Sequence, residues 1–186
     1  MEAAFTLFDE RGYDNVAAAE IAAVAGVSER TFFRYFPAKE DVVFPDAEER
    51  LGHMKELVAN LPQDVSLIEG LRQALTVICL EYEESREIQM MRARLVMATP
   101  SLQTFIFHRE HEWVELFASA VAERLGLDHD QDMRPELTAA VVVAVFRVVM
   151  TRWIRSDGDG AIASLLDEAL AFVGTGLAVT GLDDGD

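Results

Sequence analysis

Cysteine is almost missing from this sequence. Cys79 stands alone, so no disulfide can form within the chain, and a reducing compartment is expected. It lies in the apolar run LTVICL, where a buried, unreactive thiol is expected. Proline is sparse as well: Pro37, Pro45, Pro62, Pro100 and Pro135 leave stretches between them long enough for helices. Basic residues are outnumbered, 16 against 33 acids, giving a net charge of −17. That balance argues against a broad nucleic-acid surface, so any such contact must rest on local charge. The longest apolar run, Leu137 to Val149, contains Arg147 and is shorter than the roughly 20 residues a bilayer requires. No leader pattern is visible at the N-terminus, and a soluble, cytoplasmic protein with no membrane partner is expected. Strand-like alternation and internal repeats are absent. So are a nucleophile–base pairing, a glycine-rich phosphate loop and a paired-carboxylate setting, which leaves no enzyme and no cofactor expected.

What is present is a helix-turn-helix between residues 18 and 37. Ala18 to Ala25 reads AAEIAAVA, a segment of high helix propensity. Gly26 suits the positive φ that ends one helix and turns into the next. Ser28 is placed to cap a second helix, and Pro37 stops that helix about two turns later. Phe32, Tyr35 and Phe36 are expected to point inward. Arg30, Phe33 and Arg34 fall at i, i+3 and i+4, so they share the opposite face. Arg suits guanine edges or phosphate, and Phe suits a thymine methyl, which makes this face a candidate reader of the major groove. Across residues 1–45 eight acids face four bases, yet three of those bases, Arg30, Arg34 and Lys39, lie between residues 30 and 39.

The run GYDNVAAAEIAAVAGVSERTFFRYFPAKEDVV resembles the DNA-binding domain of the TetR family of bacterial transcriptional regulators. Phe8, Gly12, Tyr13, Ile21, Ala22, Ala25 to Ser28, Thr31, Tyr35 to Pro37, Lys39 and Glu40 carry the resemblance. TFFRYF and the later TPSLQ and HREHEWVELFASAVAERLG are similar to actinomycete members. The resemblance implies that Ser28, Arg30, Thr31, Phe33, Arg34, Tyr35 and Lys39 meet DNA, with Lys39 holding phosphate at the start of a fourth helix. The chain departs from the family pattern at Ala17 and Ala38, where a capping hydroxyl is usual, at Ala19, and at Phe33, where Tyr is usual. Each missing cap is expected to cost roughly 1 kcal/mol. The basic arm that precedes the first helix in the family is not seen before Met1, and weaker binding is the expectation.

An all-α architecture is expected throughout: a three-helix head over residues 1–45 and a helical ligand-binding and dimerisation body over 46–186. Helices are expected over residues 2–11, 46–60, from Ser66 to about Tyr82, 87–97, 101–125, from Pro135 to about Ser156, and 161–178, with Ser66 and Ser101 as caps. Leu137, Val141, Ala144 and Val148, with Leu166, Leu170 and Val173, belong to two helices apolar on more than one side. A partner subunit can supply the second side, with burial in a single subunit's core as the alternative, and the resemblance implies a homodimer built on those helices. Met90, Met91, Met97, Phe105, Trp113 and Phe117 read from spacing as core or pocket. The resemblance implies a cavity for an apolar or amphipathic small molecule. His108, His111 and Glu112 form a candidate metal cluster, although surface histidines on a charged helix are the commoner reading, and no metal is expected. The expected function is a homodimeric, ligand-responsive repressor on an inverted-repeat operator in double-stranded DNA. The alternative is a helical small-molecule-binding or interaction protein that has lost DNA binding.

Overall fold

The computed structural model describes residues 2–62, 64–128 and 131–175. All regular structure within them is helical: α1 Glu2–Arg11, α2 Ala18–Val24, α3 Glu29–Tyr35, α4 Ala47–Ala59, α5 Leu67–Glu84, α6 Arg86–Ala98, α7 Pro100–Leu125, α8 Arg134–Arg155 and α9 Ile162–Gly174. Two 3-10 turns, Tyr13–Asn15 and Glu40–Val42, join α1 to α2 and α3 to α4. The expected helix over 161–178 runs past the described residues at its end, as does the tail.

Local chemistry accounts for many of the boundaries. Ser28 Oγ accepts from the Thr31 N–H at 3.1 Å, and Ser66 Oγ accepts from Glu69 at 3.3 Å. Gly26, at φ +70°, turns the chain between α2 and α3, and Gly126 ends α7 in the left-handed conformation. Ser101 departs from expectation. It sits inside the first turn of α7, which already starts at Pro100, and its hydroxyl donates to Asp14 at 2.9 Å instead of capping.

Two hydrophobic cores result. The body core gathers Leu71, Leu75 and Ile78 from α5, Phe117 and Val121 from α7, Val142, Val149 and Trp153 from α8, and Ile162 and Leu166 from α9. Cys79 lies within it, fully buried, and that burial pushes its thiol up to about 12. The head core joins Phe5 and Phe8 of α1 to Tyr13, Ile21, Phe32, Val42 and Val43. Leu102, from α7, is part of it and is fully buried there. The body therefore places one fully buried side chain in the head core, with Leu95 and Val96 of α6 packed against it.

α8 is 22 residues long, and its length and composition would suffice to cross a membrane, contrary to the expectation drawn from its 13-residue apolar run. Ala139, Val142, Val145, Val149, Met150 and Trp153 bury one side of it in the body core.

Candidate nucleic-acid interface

The head presents α3 to solvent. Phe32 is buried, and Phe36 packs against its ring with centroids 5.4 Å apart. Tyr35 does not join them. It is 68% exposed, because the i, i+4 pair Phe32 and Phe36 takes the inward direction and position 35 turns outward. The Arg34 guanidinium lies 4.9 Å from the Tyr35 ring centroid, and its Nη2 donates to the Tyr35 hydroxyl at 3.4 Å. Arg30 is exposed and has no ion-pair partner among the described residues, and Phe33 is 41% exposed. Arg30, Phe33, Arg34 and Tyr35 thus form one accessible surface of two cations and two rings. Thr31 sits at its edge, its hydroxyl 2.9 Å from that of Ser28, so both are bound up in the cap.

At Ala17 and Ala38 a carboxylate three residues on bonds the alanine's own N–H. Glu20 reaches back to accept from the Ala17 N–H at 2.8 Å and is paired to Arg11 at 2.7 Å. The backbone bond and the Arg11 contact together hold the Glu20 carboxyl below its ordinary range. Asp41 likewise accepts from the Ala38 N–H at 2.7 Å. Glu20 is the acidic half of a capping box whose other half is absent: with no hydroxyl at Ala17, the Glu20 N–H bonds the Ala17 carbonyl at 3.0 Å, and the Asp41 bond lies just ahead of the Glu40–Val42 turn.

Lys39 faces inward. Its Nζ donates to the carbonyls of Tyr13, at 3.0 Å, and Val16, at 3.1 Å, and lies 3.8 Å from the Tyr13 ring centroid. Nothing in its helical position foretold this, since both acceptors lie more than twenty residues upstream.

Head and body meet through α4, α6 and the start of α7. Asp46, just before α4, pairs with Arg50 and, at 3.0 Å, with Arg92 of α6. Burial alone would raise the Asp46 carboxyl, but Arg92 and Arg50 outweigh it and hold the group low. Phe44 stacks on Phe105 at 6.0 Å, and Arg109 pairs with Glu48 at 3.2 Å.

The candidate pocket residues do not converge. Met90 and Phe117 are core, with Trp113 packed beside them at 6.3 Å from Phe117. Met91 and Met97 are exposed, and Phe105 belongs to the joint with the head. A cleft of about 590 Å³ opens instead between α4 and α5, lined by Asp46, Glu49, Arg50, His53, Glu56 and Glu81. His53 and Glu56 are shared with a second cleft of about 340 Å³, whose walls include Leu57, Leu61, Pro62, Ala74 and Val77. Helical periodicity marks apolar faces but does not reveal which side chains of two different helices line a common cleft, so this groove was missed. His108 is exposed, and His111 is 3.9 Å from Glu115; no group of three metal-ligating side chains stands together among the described residues.

On α8, Leu137, Val141 and Val148 are 55%, 42% and 54% exposed and line one stripe with half-buried Ala144. Leu166 of α9 must be removed from the expected interface: it is fully buried in its own subunit's core. Leu170 and Val173 pack partly on that core, and Phe172, 44% exposed, takes the outward position.

Comparison with known proteins accords with this geometry. Residues 1–44 match the family described as bacterial regulatory proteins, tetR family, and residues 65–178 match the MftR C-terminal domain. A Mycobacterium tuberculosis protein described as the mycofactocin biosynthesis transcriptional regulator MftR is 30% identical over 177 residues, 95% of this chain and 88% of that protein. The HTH-type transcriptional regulator TcmR of Streptomyces glaucescens is 29% identical over 163 residues, 84% of this chain and 72% of its own. Among solved structures, the Thermus thermophilus repressor FadR in complex with lauroyl-CoA superposes with a TM-score of 0.58 at 25% identity, covering 100% of this chain and 97% of that one. The exposed arginine-bearing helix, the all-α body and these matches lead to one conclusion: the chain belongs to the TetR family of DNA-binding transcriptional regulators, with a body of the MftR C-terminal type, and is not an enzyme.

Proposed function

We propose that this regulator is a cytoplasmic, ligand-responsive repressor that binds an inverted-repeat operator as a homodimer. The observation that carries the reading is the solvent-facing surface of Arg30, Phe33, Arg34 and Tyr35 on a helix capped by Ser28 and stopped by Pro37. Two such helices related by a two-fold axis call for two half-sites. The accessible Arg30, Phe33 and Arg34 face opposes the alternative of a head that has lost DNA binding, which the net charge of −17 and the departures at Ala17, Ala19 and Ala38 favour. Selection from random duplexes at low salt tests the proposal and is expected to return a palindrome. Arg34→Ala is expected to weaken binding by about 1–3 kcal/mol and to relax preference at one base pair per half-site. A selection without a palindrome, together with unchanged residual binding by Arg34→Ala, would sink it.

The ligand reading moves to the groove between α4 and α5. One end is polar and mostly acidic, with Asp46, Glu49, Glu56 and Glu81 beside Arg50 and His53; the other is apolar, with Leu57, Leu61 and Val77. That division suits an amphipathic molecule, and the complex of the Thermus relative with lauroyl-CoA supplies a probe whose acyl chain matches the apolar end and whose phosphates must lie in solvent, away from the acidic end. Because α4 also carries the joint to the head, a ligand wedged beside it favours one head position over another. Lauroyl-CoA at 100 times its dissociation constant is expected to stabilise the protein by about 2.7 kcal/mol. Val77→Asp, which places a charge at the apolar end, is expected to abolish that gain. No rise in melting temperature and no release of operator would remove the groove from consideration.

A further inference from the structure

Lys39 occupies the position where a phosphate-binding lysine is expected, yet its ammonium is turned toward its own head. We infer that Lys39 is a positioning residue: it pins the exit of the recognition helix to the turn between α1 and α2 and so sets the angle at which α3 meets DNA. Two of its three protons are committed, to Tyr13 O at 3.0 Å and Val16 O at 3.1 Å. Tyr13 opens the 3-10 turn Tyr13–Asn15 and Val16 caps it, so the ammonium bridges the two ends of the turn. The Tyr13 ring face adds a third attraction at 3.8 Å. Swinging out to phosphate would break both hydrogen bonds and strip the cation from the ring.

Both ends of this pin are themselves fixed. Upstream, the Tyr13 ring packs against Phe8 at 4.9 Å, the Asn15 amide donates to Arg11 O at 2.9 Å, and Ser101 of the body bonds to Asp14. Downstream, only Phe36, Pro37 and Ala38 separate Lys39 from the last residue of α3. Pro37 has a locked φ, and Asp41 holds the Ala38 N–H. A displacement at the pin therefore reaches α3 with little slack. Through Ser101 the same turn is tied to α7, so Lys39 closes a path from the body to the recognition helix.

The test uses the full chain with Lys39→Met, which keeps most of the stem and loses the charge. In the DNA-free protein, amide exchange at residues 13–18 is expected to accelerate while that of α5 and α8 stays unchanged. Against the selected duplex, affinity is expected to fall about tenfold. Affinity for an unrelated duplex, and the slope of log affinity against log salt, are expected to stay as they were. A lysine that held phosphate would give the reverse: both affinities fall alike, the salt slope drops by about one for each phosphate released, and exchange does not change. That pattern overturns the inference. Lys39→Arg provides a second check should Lys39→Met not fold. Its charge serves phosphate equally well, but its planar fork does not fit two converging carbonyls beneath a ring. Faster exchange in Lys39→Arg supports the pin, and wild-type exchange opposes it. Exchange requires no DNA, so a failed operator selection leaves that measurement standing.

Discussion

Val141→Glu is expected to convert the protein to a folded monomer. The side chain is 42% exposed on the free subunit, so the variant has room for a carboxylate and should keep its cooperative melt. In a two-fold assembly through α8 and α9 the same position is covered, and an unpaired buried charge costs roughly 3–5 kcal/mol. Symmetry doubles the damage, because each subunit carries the substitution into one interface. Sedimentation should show the dissociation constant rising by at least two to three orders of magnitude. Operator affinity should fall with it, since one half-site alone gives little specificity. A variant that remains dimeric places the interface elsewhere. Leu166→Glu should behave differently. Leu166 is buried within its own subunit, so the charge should unfold the body and leave no soluble monomer to observe.

The second large effect is expected at Leu102. This side chain belongs to a helix of the body but is fully buried among Ala4, Phe5, Val42 and their neighbours in the head. Truncation to Ala removes its packing there and leaves a cavity, which for a buried leucine costs about 2–5 kcal/mol. Denaturant unfolding should show the loss. It should also split the transition, because the head is small and its core includes this one fully buried residue from the body. Hydrogen exchange should then report opening across α1 to α3 while α8 stays protected. A single transition with unchanged midpoint would mean that the head closes its core without Leu102. Ser101→Ala, at the exposed neighbouring contact, is expected to change stability far less.

Much of the head was legible in the sequence because its signals are local. A serine cap, a glycine with positive φ and a proline stop act within a few residues, and they fixed α2 and α3 before any tertiary contact was considered. The outward set Arg30, Phe33 and Arg34 follows from helical spacing alone. Tyr35 shows the limit of that logic: Phe32 and Phe36 fill the inward direction, and the residue between them is left to solvent. The caps at Ala17 and Ala38 were also within reach, since Glu20 and Asp41 stand three residues on in each case.

What only the tertiary structure decided concerns partners distant in sequence. Lys39 finds its carbonyls 26 and 23 residues upstream, and Leu102 finds a core some sixty residues or more before it. The sequence by itself established the helices, their order and the family, because propensity, capping and apolar periodicity are properties of neighbouring residues. It could not divide the apolar residues of α8 and α9 between buried and exposed, since Leu166 and Phe172 are both hydrophobic and differ in whether the chain's own core covers them. Nor could it place the groove along α4 and α5, which is lined by residues of both helices more than twenty positions apart. Those outcomes depend on how finished helices pack, and packing is settled by the sum of all their contacts at once.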